Sequence, residues 1–155
     1  MKKLLLAATH ALALAIGFGL GIYTLPILVA PEGPTGAELA AHAGMATWKG
    51  EFRRNLKGSD ALHWGEGAVS VGPRSITLAG KLAPGPNYKL YLSPEFVETE
   101  PDFRRVKPQM VQVGDVKTFD NFMVPLPASV DPARYTTVII WCETFEQFIT
   151  AARYR

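Results

Sequence analysis

Thr136-Thr137-Val138-Ile139-Ile140-Trp141-Cys142 is the stretch of the 155-residue chain that decides the fold. Successive side chains of a β-strand point to opposite faces, so Ile140 and Cys142 share one face while Trp141 takes the other. Both faces are apolar towards the end of the run, which is typical of a central strand that is covered on both sides. We therefore expect this strand to lie at the centre of the core.

Shorter β-type runs recur along the chain before this stretch, separated by Gly, Pro and Asp breakers. Such frequent turns predict an all-β domain, an antiparallel sandwich or barrel, over residues 47–155. Gly114-Asp115, between two valines, predicts a two-residue hairpin turn. The predicted strands are Trp48–Arg53, Gly67–Val71, Ser75–Ala79, Lys89–Ser93, Met110–Val113, Phe119–Val124 and Thr136–Cys142.

The first 30 residues predict a transmembrane helix. From Leu4 to Ala30 the sequence has no Asp, Glu, Lys or Arg, and a helix of that length reaches about 40 Å, enough to cross a bilayer. Lys2 and Lys3 precede the run, so we expect a cytoplasmic N-terminus and an exported C-terminal domain, periplasmic or extracellular. A cleaved signal peptide is the rival interpretation, but its apolar core is usually about 7–15 residues, much shorter than this run.

The chain therefore divides into a membrane anchor or uncleaved signal (residues 1–30), a flexible tether (residues 31–46) and a β domain (residues 47–155). The tether begins with Pro and Gly. Its Ala-rich second half could form a short helix, but we expect its apolar side chains to be too small to pack well and His42 to be solvated. The net charge is only +2. The basic pairs Arg53-Arg54 and Arg104-Arg105 are isolated, which excludes the basic stripe of a nucleic-acid-binding surface.

Cys142 is the one cysteine of the chain, so an exported domain could not use it in an internal disulfide. Three interpretations stay open: an inert buried side chain, a reactive thiol, or a ligand of a prosthetic group. The end of a strand favours the last two, because a side chain there can face a pocket at the rim of a sandwich. No Cys-x-x-Cys-His motif is present, which excludes covalent c-type haem.

His63 and Trp64 form the second group of interest. His63 could act as a ligand or acid–base group, or simply as a structural hydrogen-bonding residue, and Trp64 is most simply a core residue. The chain has no nucleophile elbow, P-loop or dinucleotide fingerprint, and its three histidines lack zinc spacing. The carboxylates between Pro94 and Pro101 are typical of a solvated loop. Whether the protein is an enzyme is left undecided, although an enzyme acting through His63 is one alternative.

Several segments in order resemble the DM13 domain family over roughly residues 48–154. None is specific alone, but together they follow the order that family uses. They are Gly50-Glu51-Phe52, Leu62-His63-Trp64-Gly65-Glu66-Gly67-Ala68-Val69, Pro86-Asn87-Tyr88-Lys89-Leu90-Tyr91-Leu92-Ser93, Leu126-Pro127 and Tyr135 to Cys142.

The resemblance implies a β-rich extracytoplasmic domain that takes part in electron transfer. The family's single hallmark cysteine corresponds to Cys142, and it implies either a naked redox thiol or a ligand to a prosthetic group such as haem. Near a bound group we expect Cys142, His63, Trp64 and Trp141. No metal site is expected. Animal members carry partner modules that this chain lacks, so a redox partner protein in or at the membrane is expected. The alternative function is a non-catalytic binding or adhesion module.

Overall fold

Two four-stranded antiparallel sheets form a sandwich behind a long N-terminal helix. The structure is a computed structural model that describes residues 1–155. One sheet has the strand order β1-β2-β3-β6 and the other the order β5-β4-β7-β8. The helices are α1 (Lys2–Leu28), α2 (Gly36–Gly44) and α3 (Glu100–Val106). The strands are β1 (Trp48–Phe52), β2 (Gly65–Val71), β3 (Ser75–Leu82), β4 (Tyr88–Ser93), β5 (Val111–Val116), β6 (Asp120–Pro125), β7 (Thr137–Cys142) and β8 (Gln147–Arg153).

The sequence therefore predicts the β-rich fold correctly, with the sandwich rather than the barrel. All-β describes the folded domain better than the whole chain, of which 32% is helical. The seven predicted strands are all present, and β8 is an additional strand that pairs with β7. The predicted hairpin turn at Gly114-Asp115 is wrong. Strand β5 runs through both residues, and Asp115 is held there by an ion pair of 2.6 Å with Lys89 of β4.

Strand β7 is buried along its whole length, as its two apolar faces predict. Its inward side chains pack between the sheets, where Ile140 lies opposite Leu90 of β4 and both are fully buried. Burying an aliphatic side chain of this size contributes about 1.5–3 kcal/mol, so the β4–β7 pair is a substantial part of the core. Gly67 of β2 has a positive φ of 121°, and a side chain there would collide with the backbone of Ala79.

The outer face of the second sheet is covered by α3, in a region that the sequence predicts to be a solvated loop. Thr99 caps the helix by accepting a hydrogen bond from the Asp102 backbone N–H, and proline occupies its first turn, where no donor is needed. The helix buries Phe103 and Val106 against the sheet. The outward side chains of β7, Trp141 among them, are thereby closed off from water.

Helix α2 lies within the segment predicted to be a flexible tether. Thr35 and Glu38 form a reciprocal capping box that satisfies free backbone donors at the start of the helix. Leu39 is buried, and the Nδ1 atom of His42 lies 2.7 Å from the Oγ atom of Ser75 at the start of β3. His42 is thus not simply solvated, as the sequence suggested. This packing fixes residues 36–44 along the first sheet.

Helix α1 is long and apolar enough to cross a membrane, with a mean hydropathy of 2.0 over its best window. Its last turns lie against one end of the sandwich, where Ile22, Pro26 and, just after the helix, Ala30 are half-buried at a spacing of four residues. We call this end, at which β3 and β7 end and β4 begins, the Cys142 end. The opposite end carries the β2–β3 turn, near which α2 ends. The tether therefore runs from the Cys142 end to the opposite end before β1 begins.

Candidate functional site

Cys142 is the last residue of β7 and points inward between the two sheets. It is a free cysteine with 2% of its surface exposed. Its direct partner across the strand pair is Tyr88, the first residue of β4. Side chains in such positions lie about 5 Å apart at Cβ, so the thiol and the phenol ring are immediate neighbours.

A cavity of about 200 Å³ lies beside the thiol, so Cys142 is buried without being sealed into the core. Tyr88 and Ile149 line it from the sandwich, and Leu62, His63 and Phe145 line it from the loops. The remaining wall comes from α1, which contributes Gly19, Ile22 and Tyr23. Cys142 and His63, which lie far apart in the sequence, are therefore brought to the same cavity.

The Tyr88 ring gives the cavity a polar hydroxyl inside a mostly apolar wall. Burial raises the pKa of Tyr88, and the neighbouring Cys142 raises it further. The phenol is therefore a neutral hydrogen-bond donor at physiological pH. Phe119 meets the ring edge-on with centroids 5.9 Å apart, and Gly85 passes so close that an added Cβ would overlap the ring. Together these contacts hold Tyr88 in one position.

His63 is oriented by Asp60 in the loop before β2. Its Nδ1 atom lies 2.9 Å from the Asp60 carboxylate, which also accepts hydrogen bonds from the backbone N–H groups of Leu62 and His63. Burial would raise the pKa of Asp60, but these hydrogen bonds outweigh it and lower the pKa. The carboxylate therefore stays charged and favours the Nδ1–H tautomer. The Nε2 atom of His63 makes no hydrogen bond within the chain, which leaves it free for a small molecule.

The two tryptophans predicted to lie near a bound group do not line this cavity. Trp64 is half-buried rather than a core residue, and the Arg54 guanidinium stacks over its ring at 3.3 Å. Trp141 points to the outer face of the sheet, where it stacks on Phe103 with centroids 3.9 Å apart. The strand alternation that places Cys142 inward necessarily places Trp141 outward.

A polar cluster that the sequence analysis missed lies on that outer face, directly behind Cys142. The hydroxyl of Tyr91 donates to the carboxylate of Glu143 and is within 3.1 Å of the Gln112 side chain. The ammonium group of Lys107 lies 3.1 Å from the same carboxylate. The sequence signals for this cluster are only a Tyr and a Glu beside an apolar strand. Lys107 lies 36 residues before Glu143, so the sequence does not indicate that the two are partners.

The electrostatics of the cluster favour a charged Glu143 and a neutral Tyr91. Burial would raise the pKa of Glu143, but the hydrogen bonds from Tyr91 and Lys107 and the Lys107 charge together lower it. Burial, together with the adjacent carboxylate, raises the pKa of Tyr91. The indole of Trp141 also lowers the pKa of Glu143, although its buried Nε1 atom falls short of hydrogen-bond geometry. The proton therefore stays on the phenol, and the pair is a charge-assisted hydrogen bond.

The cavity beside Cys142 does not fit haem in this conformation. Sites for small-molecule and cofactor ligands usually enclose about 300–1,000 Å³, and this cavity is smaller. No group of three or more His, Cys, Asp or Glu side chains converges anywhere in the chain in a way that could hold a metal ion. A cavity of this size instead suits a small molecule, with Cys142, Tyr88 and His63 among the residues that line it.

Comparison with known proteins assigns the folded domain to a family. The family model described as electron transfer DM13 matches residues 51–154, from the end of β1 to the end of β8, and includes Cys142, as the sequence resemblance predicts. No curated protein and no solved structure matches the chain. Membership supports a general role in electron transfer, which implies a redox partner. The chain belongs to the electron transfer DM13 family.

Proposed function

We propose that this protein is a membrane-anchored electron-transfer domain that works through the Cys142 thiol. The observation that carries the proposal is the cavity beside a buried, unpaired cysteine in an electron-transfer family. In this proposal α1 is an uncleaved anchor, the N-terminus is cytoplasmic, and the sandwich lies on the periplasmic or extracellular side. The apolar run preceded by Lys2 and Lys3 supports that orientation.

The proposed oxidant is a hydroperoxide, which is small enough for the cavity. The Cys142 sulfur attacks the terminal oxygen of the O–O bond, an S–O bond forms as the O–O bond breaks, and the alcohol leaves with the thiol proton. Sulfur is oxidised by two electrons to a sulfenic acid. The free Nε2 atom of His63 supports this step, because an imidazole can carry the proton from the thiol to the leaving oxygen.

Two thiol groups of a redox partner return Cys142 to its reduced state. The first condenses with the sulfenic acid to give a mixed disulfide and water, and the second displaces Cys142 from it, so the partner ends as a disulfide. A second thiol within the chain cannot do this, because Cys142 is the one cysteine present. The net reaction moves two electrons from the partner to the peroxide.

The test uses the full chain in membranes, treated with a hydroperoxide and then with dimedone, which traps sulfenic acids. We expect a single adduct at Cys142 by mass spectrometry, and its loss when a dithiol is added before dimedone. Cys142→Ser is the matched control and gives no adduct. If the native thiol stays unmodified while denatured chain reacts, the redox role is refuted and the alternative of a non-catalytic binding module is favoured.

A second arm addresses haem directly. Full-length protein and Cys142→Ser are titrated with haem and followed by absorption. The size of the cavity predicts spectra that are the same for both proteins. A thiolate-type spectrum that requires Cys142 would show that the cavity opens to hold haem, and would replace the naked-thiol proposal with ligation.

A further inference from the structure

The Cys142 end of the sandwich concentrates the exposed apolar residues of the folded domain. Outside α1 and its cap, the large hydrophobic side chains that are exposed are Met45, Leu62 and Phe145. Leu62 and Phe145 are 58% and 48% exposed, and both line the cavity beside Cys142. Isolated exposed hydrophobics are ordinary, but two that border one cavity next to an apolar helix form a patch.

The depth of α1 in a bilayer places this patch in space. A hydrocarbon core of about 30 Å accommodates about 20 helical residues. If the core begins at Leu4, directly after Lys2 and Lys3, it ends near Tyr23, where an interfacial aromatic is expected. Tyr23 and Gly19 line the same cavity as Leu62 and Phe145. The cavity wall on α1 therefore coincides with the boundary between hydrocarbon and headgroups.

The packing of the chain keeps the domain in this position. Ile22 and Pro26 of α1, and Ala30 just after it, are half-buried where the helix meets the sandwich. Helix α2 is held along the first sheet by Leu39 and by the contact between His42 and Ser75. The contact with α1 would have to break for the Cys142 end to lift away from the membrane, and the packing of α2 leaves only residues 29–35 to act as a hinge.

We propose that the Cys142 end is a lipid-docking surface, with Leu62 and Phe145 inserted among the headgroups of the bilayer on the exported side. This rests on α1 being the membrane anchor of the proposed function. The cavity beside Cys142 then opens at the lipid–water boundary instead of into bulk water. Met45 lies at the opposite end, near the β2–β3 turn, and points away from the bilayer.

The test measures depth in phosphatidylcholine vesicles that contain the full chain. Phe145→Cys and Leu62→Cys are made in a Cys142→Ser background and labelled with a nitroxide, and Met45→Cys is the matched control. We expect collisions with oxygen to exceed those with a water-soluble nickel chelate at positions 62 and 145, and the reverse at 45. Nickel accessibility at 145 equal to that at 45 overturns the proposal. Low accessibility to both reagents also overturns it, because it indicates a covering protein.

A second measurement keeps Cys142 in place, in case its replacement perturbs folding. Phe145→Trp and Met45→Trp are compared in vesicles of brominated phosphatidylcholine, where the native tryptophans give a common background. Stronger quenching of the Phe145→Trp protein supports docking, and equal quenching refutes it. Extraction with alkaline carbonate distinguishes membrane anchoring by α1 from lipid docking of the Cys142 end. A chain that washes off the vesicles refutes the anchor and docking together, whereas a retained chain with a water-exposed residue 145 refutes docking alone.

Discussion

Replacing Glu143 by Gln should destabilise the domain in a way that disappears in acid. The carboxylate accepts from Tyr91 and pairs with Lys107. A hydrogen bond to a charged group contributes about 1.5–3 kcal/mol, roughly twice a neutral one. The Gln side chain has the same shape as Glu and keeps a carbonyl oxygen that accepts from Tyr91, but it carries no charge. We therefore expect the free energy of unfolding to fall by about 1–2 kcal/mol through the weaker Tyr91 hydrogen bond. The Lys107 pair is partly exposed and adds at most about 1 kcal/mol.

The pH dependence follows from the lowered pKa of Glu143. A carboxyl whose folded pKa lies below its unfolded value stabilises the fold above the unfolded pKa, and loses that contribution as the pH falls through the folded pKa. The ordinary value is 4.5. The stability difference between wild type and Glu143→Gln should therefore be greatest near neutral pH and should shrink as the pH falls below that value.

Urea unfolding of both proteins in detergent, at about pH 7 and about pH 3, measures the difference on either side of the ordinary carboxyl pKa. Glu146→Gln is the matched control, because Glu146 forms an ion pair with Arg104 in which both side chains are exposed. That pair should contribute less than about 1 kcal/mol. The reasoning is refuted if Glu143→Gln loses no more stability than Glu146→Gln at neutral pH, or if its deficit persists unchanged in acid.

Three further substitutions test the packing around the site. Gly85→Ala should cost about 1–3 kcal/mol by overpacking against the Tyr88 ring, measured by urea unfolding, and an unchanged midpoint would contradict that close approach. Phe103→Ala should cost about 3–5 kcal/mol and shift Trp141 emission to the red, because it removes the ring stacked on the indole. An unshifted emission would show that α3 does not cover Trp141. Leu39→Ala should cost about 2–5 kcal/mol and speed amide exchange in α2, whereas unchanged exchange would mean that this side chain does not hold the helix.

Alternation along the strands was enough to predict much of the sandwich and to place Cys142 and Trp141 on opposite faces of β7, although not to say which face points inward. The missed strand β8 shows where that signal fails. Its sequence, Gln147-Phe148-Ile149-Thr150-Ala151-Ala152-Arg153, ends in small residues with weak β-propensity, and it becomes a strand because β7 offers a buried edge to pair with. At Gly114-Asp115 the sequence signal fails in the opposite way, because it predicts a turn where the structure has a strand. The turn chemistry there is strong, but both residues pair with β4, and the valines on either side of them are buried.

The site was predictable in part for a related reason. A strand end next to a loop places a side chain at the rim of a sandwich, and this brought Cys142 into consideration. That His63 would reach the same cavity, and that Trp64 would not, depends on how the loop before β2 folds over Asp60. The Glu143–Lys107 pair joins a strand end to a helix 36 residues away. Of the elements around this pair, α3 left a local signal, since Thr99-Glu100-Pro101 is a recognisable helix start.

The route of residues 31–46 along the first sheet has a consequence for how the protein meets other molecules. A chain that left the membrane on a slack linker would let its domain sample a wide volume of solution. Here α2 is fastened to β3, so the domain has no such reach when the helix before it is fixed in a bilayer. Encounters then depend on lateral diffusion in two dimensions. The rate of electron transfer would then depend on the number of partner molecules per unit area of membrane, rather than on their bulk concentration.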